Sequence, residues 1–246
     1  MRLSLLSPLR PDRLSSRPAL SESSNNPLGL RLWPSRVGFR TRRPAMEKLE
    51  AARAAFANHD WSRAHDAFIA AGAEAPLEAN DMASLREASW WLGLIDESLA
   101  AAEQAYTLYL EASDNRGAAY QAWEIAYAHF LKGDEAVGSG WIGRVQRLLT
   151  EEPDCAEQGY LLYFFVETSL DAGEETLAKA REVQEFGRRN ADRNLVAAGM
   201  VAEGRVLMKL ARARQGLALL DEGMLEASSG ELSPTFTGNI YCHLMA

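Results

Sequence analysis

The groups in this chain that could carry chemistry are few and scattered. His59 and His65 lie six residues apart, so on a helix they do not share a face at the spacing a metal ion needs. Cys242 and His243 are adjacent and point apart, and Cys155 and Cys242 form no C-x-x-C pair. The carboxylate pairs Glu151-Glu152, Glu174-Glu175 and Asp221-Glu222 fall near turns or in first helical turns, where they suit the helix dipole and solubility. No base, nucleophile or oxyanion donor accompanies them, so no catalytic residue, metal site or cofactor is assigned and an enzyme is not expected. The residues that stand out suit recognition instead. Tyr120, Trp123, Tyr127 and Phe130, at spacings of three, four and three, place four rings on one helical face, with Glu124 beside them. Large rings anchor protein interfaces, and they also dominate cores, so this stripe is either a docking face or packing between helices.

The elements that must position these residues are helical. From Met46 onward the chain is rich in alanine, leucine, glutamate and arginine, which lose little freedom in a helix. Only three of the nine prolines (Pro76, Pro153, Pro234) lie in this part. His59-Asp60, Gly93, Lys132-Gly133, Ala172-Gly173 and Ala211-Arg212 mark short turns, and Pro76, Glu152-Pro153 and Ser233-Pro234 mark longer breaks.

The pattern behind these turns repeats. Trp61, Ala64, Phe68 and Ala71 follow the first turn, and Ile95, Ser98, Ala102 and Ala105 follow the second at the same spacing, with 34 residues from Ala64 to Ser98. Ala213, Gly216, Leu220 and Gly223 repeat the phase behind the last turn. Small residues let two helices approach while a large one fills the gap between them. The pattern resembles the tetratricopeptide repeat over residues 46–246. It is plainest in the first, second and fifth pairs. Gly93, Gly133 and Gly173 are spaced by 40, which predicts longer helices or loops in the third and fourth pairs and allows their second-helix register to shift. The expected fold is all-α: a right-handed tetratricopeptide-like superhelix of about five antiparallel helix pairs plus a lone terminal helix.

In such a superhelix the first helix of each pair lines a concave groove. The resemblance therefore places Tyr120, Trp123, Glu124, Tyr127 and Phe130 there, with Tyr160, Tyr163 and Glu167 from the fourth pair and Arg205 and Met208 from the fifth. Trp90 and Trp91 join them from the end of the second pair's first helix. The implied partner is a protein or peptide in that groove.

Residues 1–45 are a different material, with six prolines, many serines and nine arginines against Asp12 and Glu22, a balance of +7. They are expected to be disordered, either as a transit-type extension or as the product of a start codon placed ahead of Met46. The remaining 17 basic and 32 acidic residues give −15, which repels phosphate backbones and argues against direct nucleic-acid binding. No run of about 18 apolar residues exists, so no membrane span is expected, and the cysteine usage fits a reducing cytoplasm. After Pro234, Phe236, Gly238, Ile240, Tyr241 and Leu244 open a new first helix without a following partner. The repeat domain therefore reads as incomplete at its C-terminus, with self-association through the open end as an option.

Several stretches are similar to the repeat region of bacterial LuxR-type transcriptional regulators. They are Gly138-Ser139-Gly140-Trp141-Ile142-Gly143-Arg144-Val145-Gln146-Arg147-Leu148-Leu149, Glu157-Gln158-Gly159-Tyr160-Leu161-Leu162 and Gly216-Leu217-Ala218-Leu219-Leu220-Asp221-Glu222. Gly230-Glu231-Leu232-Ser233-Pro234, Thr237-Gly238 and Tyr241-Cys242 follow in the same order. In those proteins the repeats precede a C-terminal helix-turn-helix domain, to which nothing here corresponds, and no P-loop occurs. The resemblance implies a regulatory, partner-sensing scaffold. The alternative is a stand-alone tetratricopeptide adaptor or chaperone-like protein without a DNA-binding output.

Overall fold

Three-residue joints organise the molecule. The computed structural model describes residues 37–169 and 173–245, and among them are eleven α-helices and no strand. These are α1 (Val37–Ala57), α2 (Trp61–Gly72), α3 (Ala79–Trp91), α4 (Ile95–Glu111), α5 (Asn115–Leu131), α6 (Glu135–Leu148), α7 (Ala156–Thr168), α8 (Glu174–Arg189), α9 (Arg193–Lys209), α10 (Ala213–Ser228) and α11 (Pro234–Met245). Residues 1–36, and with them most of the segment expected to be disordered, lie outside the described residues. Helix α1 reaches back through Pro44 to Val37 instead of starting at Met46.

At six joints the chain leaves one helix through a left-handed residue: His59, Gly93, Ser113, Gly133, Ala191 and Ala211 all have φ between 53° and 80°. The next residue's N–H then returns to a carbonyl five positions back, as in Asp60 to Ala55 (3.0 Å), Asp114 to Tyr109 (2.8 Å) and Asp192 to Gly187 (2.8 Å). That bond satisfies an orphan carbonyl at the helix end. The same residue is also the N-cap of the following helix. The Asp60, Asp114 and Asp192 carboxylates accept from the N–H three residues on, each such cap being worth about 1 kcal/mol. Chain reversal in so few residues makes the flanking helices antiparallel neighbours.

Each helix from α2 to α11 packs against the next, with the slightest contact across the loop before α7. The first helices also touch one another, α5 with α7, α7 with α9 and α9 with α11, forming one layer, while α6, α8 and α10 lie behind it. The fold is an all-α, tetratricopeptide-like array of antiparallel helix pairs. Ala64, Phe68, Ala71, Ser98, Ala102, Ala105, Gly216 and Gly223 are all buried, as the repeat register requires. In the third pair α6 keeps that register with Gly138, Ile142 and Val145. In the fourth, α8 rolls so that Leu177, Ala180 and Val183 face inward and Arg181 turns out to pair with Glu203. The extra residues lengthen α4 and α5 to 17 residues each and extend the loop from Leu149 to Cys155.

Small residues have the expected effect where α9 meets α10. A Cβ on Gly216 would sit 2.7 Å from the Gly204 carbonyl oxygen, so no side chain fits between these backbones without displacing one helix.

Candidate partner-binding site

The largest core cluster joins α5, α6, α7, α8, α9 and α11 and includes Trp123, Tyr160, Tyr163 and Phe236. Trp123 stacks on Tyr127 (centroids 5.8 Å apart) and on Tyr120 (6.0 Å), and Tyr160 meets Trp123 at 5.4 Å. Phe236 of α11 enters this seam, 6.5 Å from Trp123, 5.5 Å from Tyr160 and 6.4 Å from Tyr163. Phe236 and Ile240 of α11 are each 2 % exposed.

The stripe divides into two sets. Trp123, Tyr160 and Tyr163 are buried at 5 % exposure and pack in the core cluster. Tyr120, Tyr127, Phe130, Glu167 and Arg205 are half-buried and keep part of their surface in solvent. Glu124 is buried against α3, where its carboxylate meets the Arg86 guanidinium at 3.1 Å. Trp91 leaves the stripe and stacks on Trp61 (5.9 Å), while Met208 packs against Gly216 of α10. Ala122, Ile125 and Ala126 of α5 are fully buried.

Tyr127, Phe130 and Glu167 of this set line a partly open cavity of about 130 Å³ between α5, α7 and α11. Trp123, Tyr127, Phe130 and Phe164 form its apolar wall, and Glu167, Thr168, Asn239 and His243 its polar one. Arg205 donates to Glu167 and, through Nη1, to His243 Nδ1 at 2.9 Å. A guanidinium has no acceptor, so Nδ1 must accept and the imidazole is neutral with its proton on Nε2. Burial and Arg205 hold the His243 pKa below the ordinary imidazole value, against the opposing pull of Glu167 at 3.4 Å. Asn239 Nδ2 donates to the Tyr163 hydroxyl (3.3 Å), and burial, with Glu167 and Tyr127 beside it, pushes that phenol well up.

Polar groups deeper in the same layer are less completely matched. Arg86 is buried beside Glu124, Tyr120 and Glu87. Burial alone would lower its pKa, but Glu124, Tyr120 and Glu87 together carry it above the usual guanidinium value. The same surroundings raise the Glu87 carboxyl, chiefly through burial. Arg86 Nε and Trp123 Nε1 are buried with no hydrogen-bond partner among the described residues. Unmatched donors of this kind cost about 1–3 kcal/mol each. Tyr160, by contrast, is matched: its hydroxyl donates to Asp192 Oδ2 at 2.7 Å.

Sequence reasoning missed Arg86, Phe236, Asn239 and His243 as members of this site. Phe236 sat in view as part of the terminal apolar run, but contacts such as that of Asn239 with Tyr163 span 76 residues of chain, and no local spacing encodes that.

No protein-family model matches the chain, and no curated protein matches it. Among solved structures, a variant of the tetratricopeptide-like, nearly identical repeats of a putative kinesin light chain from Podosopora anserina is similar over 76 % of this chain and 95 % of that one, at 13 % identity and a TM-score of 0.49. The same repeats in another crystal structure cover 78 % of this chain and 98 % of their own, at 14 % identity and a TM-score of 0.48. The repeat architecture given above stands on this chain's own joints and packing. Among the described residues no helix is long and apolar enough to cross a membrane, and no group of three or more His, Cys, Asp or Glu side chains is placed to hold a metal ion.

Proposed function

We propose that residues 46–246 form a protein-interaction scaffold whose recognition surface is the layer of first helices around α5, α7 and α9. One observation carries this reading. The half-buried Tyr127, Phe130 and Glu167 line one partly open cavity with an aromatic wall, and Arg205 of α9 pairs with Glu167 at its edge. Rings and arginine held rigidly at a rim are the side chains that dominate binding between proteins, because they gain much contact for little entropy. The ligand is a peptide or protein segment that places an apolar group against Tyr127 and Phe130 and a polar group on the Glu167–Arg205 pair. The narrower reading, the regulatory segment of a LuxR-type transcriptional regulator, is supported by the sequence resemblance over Gly138–Leu149 and Gly230–Cys242. An in-frame helix-turn-helix in the complete reading frame would be its test.

The scaffold reading is tested by affinity capture with the full chain and with a Tyr127→Ala, Arg205→Gln double variant, with thermal melting of both. We expect a partner that the unmodified chain retains and the variant loses, at a melting temperature still high enough for both to be folded. Equal retention by the two proteins would place recognition elsewhere.

A further inference from the structure

A second concavity lies among the second helices, away from the aromatic layer. Helices α2 and α4 flank α3 and leave a trough of about 750 Å³ above it, which continues into a smaller recess of about 180 Å³. Its floor is apolar: Phe68 of α2 and Met82 and Leu85 of α3. Ile69, half exposed, forms one rim. The other wall is a single face of α4 from Glu97 through Glu103 to Leu108, a stretch about 16 Å long at the rise of an α-helix.

The walls restrict what can lie there. Both are sides of helices whose backbone groups are already paired within the helix, so an extended peptide would find no main-chain partners. A helix satisfies its own backbone and presents apolar side chains every three or four residues, which suits a trough about three turns long with an apolar floor. Charge narrows the occupant further. Two carboxylates of α4 line the trough and its recess, the exposed Glu103 and Glu97, the latter 3.1 Å from His65 Nε2, and no lysine or arginine does. An anionic wall attracts basic flanks and repels acidic ones.

We propose that this trough is a docking site for an amphipathic helix of a partner protein, one whose apolar stripe is flanked by lysine or arginine. The site is separate from the aromatic layer, and either can fail without the other.

The test is fluorescence anisotropy of the full chain with a labelled helical peptide of about 16 residues, leucines at helical spacing and lysines beside them. A scrambled peptide of the same composition and a lysine-to-glutamate version serve as controls. The leucine–lysine helix is expected to bind and both controls to bind far less. Ile69→Ser should weaken it about tenfold. Glu97→Lys with Glu103→Lys should weaken it further and admit the glutamate peptide. All three positions are exposed at the surface, so the variants should melt with the parent protein. The proposal is overturned if the scrambled peptide binds equally, if no helix binds, or if Tyr127→Ala removes binding that Ile69→Ser leaves intact. It is also overturned if the parent protein sediments as a dimer that Ile69→Ser dissociates, since the occupant would then be a second copy.

Discussion

The aromatic layer and the α2–α4 trough are built from the same repeat and end up with opposite characters. In the layer, long helices and large rings bring α5, α7 and α11 into contact, and Phe236 fills the space between them. In the trough the equivalent volume is bordered on α4 by Ala100, Glu103, Gln104, Thr107 and Leu108, none of them a ring. Side-chain size, not backbone plan, decides which concavity the chain closes for itself and which it leaves to another molecule.

The comparison can be broken most sharply at Phe236. Phe236→Ala removes a fully buried ring from the seam and should destabilise the protein by about 3–5 kcal/mol, measured by urea unfolding. A loss under about 1 kcal/mol would mean that α11 is not seated on α5 and α7 and that the two concavities are alike.

A second variant sharpens the contrast in polarity. Glu124→Leu strands the buried Arg86 guanidinium and should cost about 3 kcal/mol, the low end for a broken buried pair because Glu87 is 4.0 Å or less from helping. Arg86→Met added to Glu124→Leu should recover most of that loss. Failure of the double variant to recover would show that the pair positions Tyr120 and Tyr127 as well as balancing charge.

The smallest effect is on pH. His243 is held neutral by burial and by Arg205, so the unfolded chain binds more protons between the ordinary imidazole pKa of about 6.5 and the depressed folded value. Stability should therefore fall as pH drops through that window and level off below it. Thermal melts of the parent protein and of His243→Gln, compared across the window, should show a shallower slope for the variant. Equal slopes would detach His243 from the seating of α11.

Much of this architecture was legible from spacing alone. The turns at His59, Gly93, Gly133 and Ala211 and the small-large-small faces of α2, α4 and α10 are local features, and local sequence sets them. The divided fate of the stripe was not. Trp123 and Tyr127 are four apart on one helix, yet Trp123 is buried and Tyr127 is not, because Phe236 and Tyr160 arrive from distant parts of the chain to cover one of them. Periodicity assigns a residue to a face. It does not say what will be laid over that face.

The joints carry a consequence for how such a chain can change. Asp60, Asp114 and Asp192 each close one helix with the backbone N–H and open the next with the carboxylate. An inserted residue at these corners would pull the two duties apart and cost both ends at once. Growth and decoration of the array are thus channelled to the looser connections at 73–78, 149–155 and 229–233, which are the places to introduce a label, a cleavage site or a fused domain.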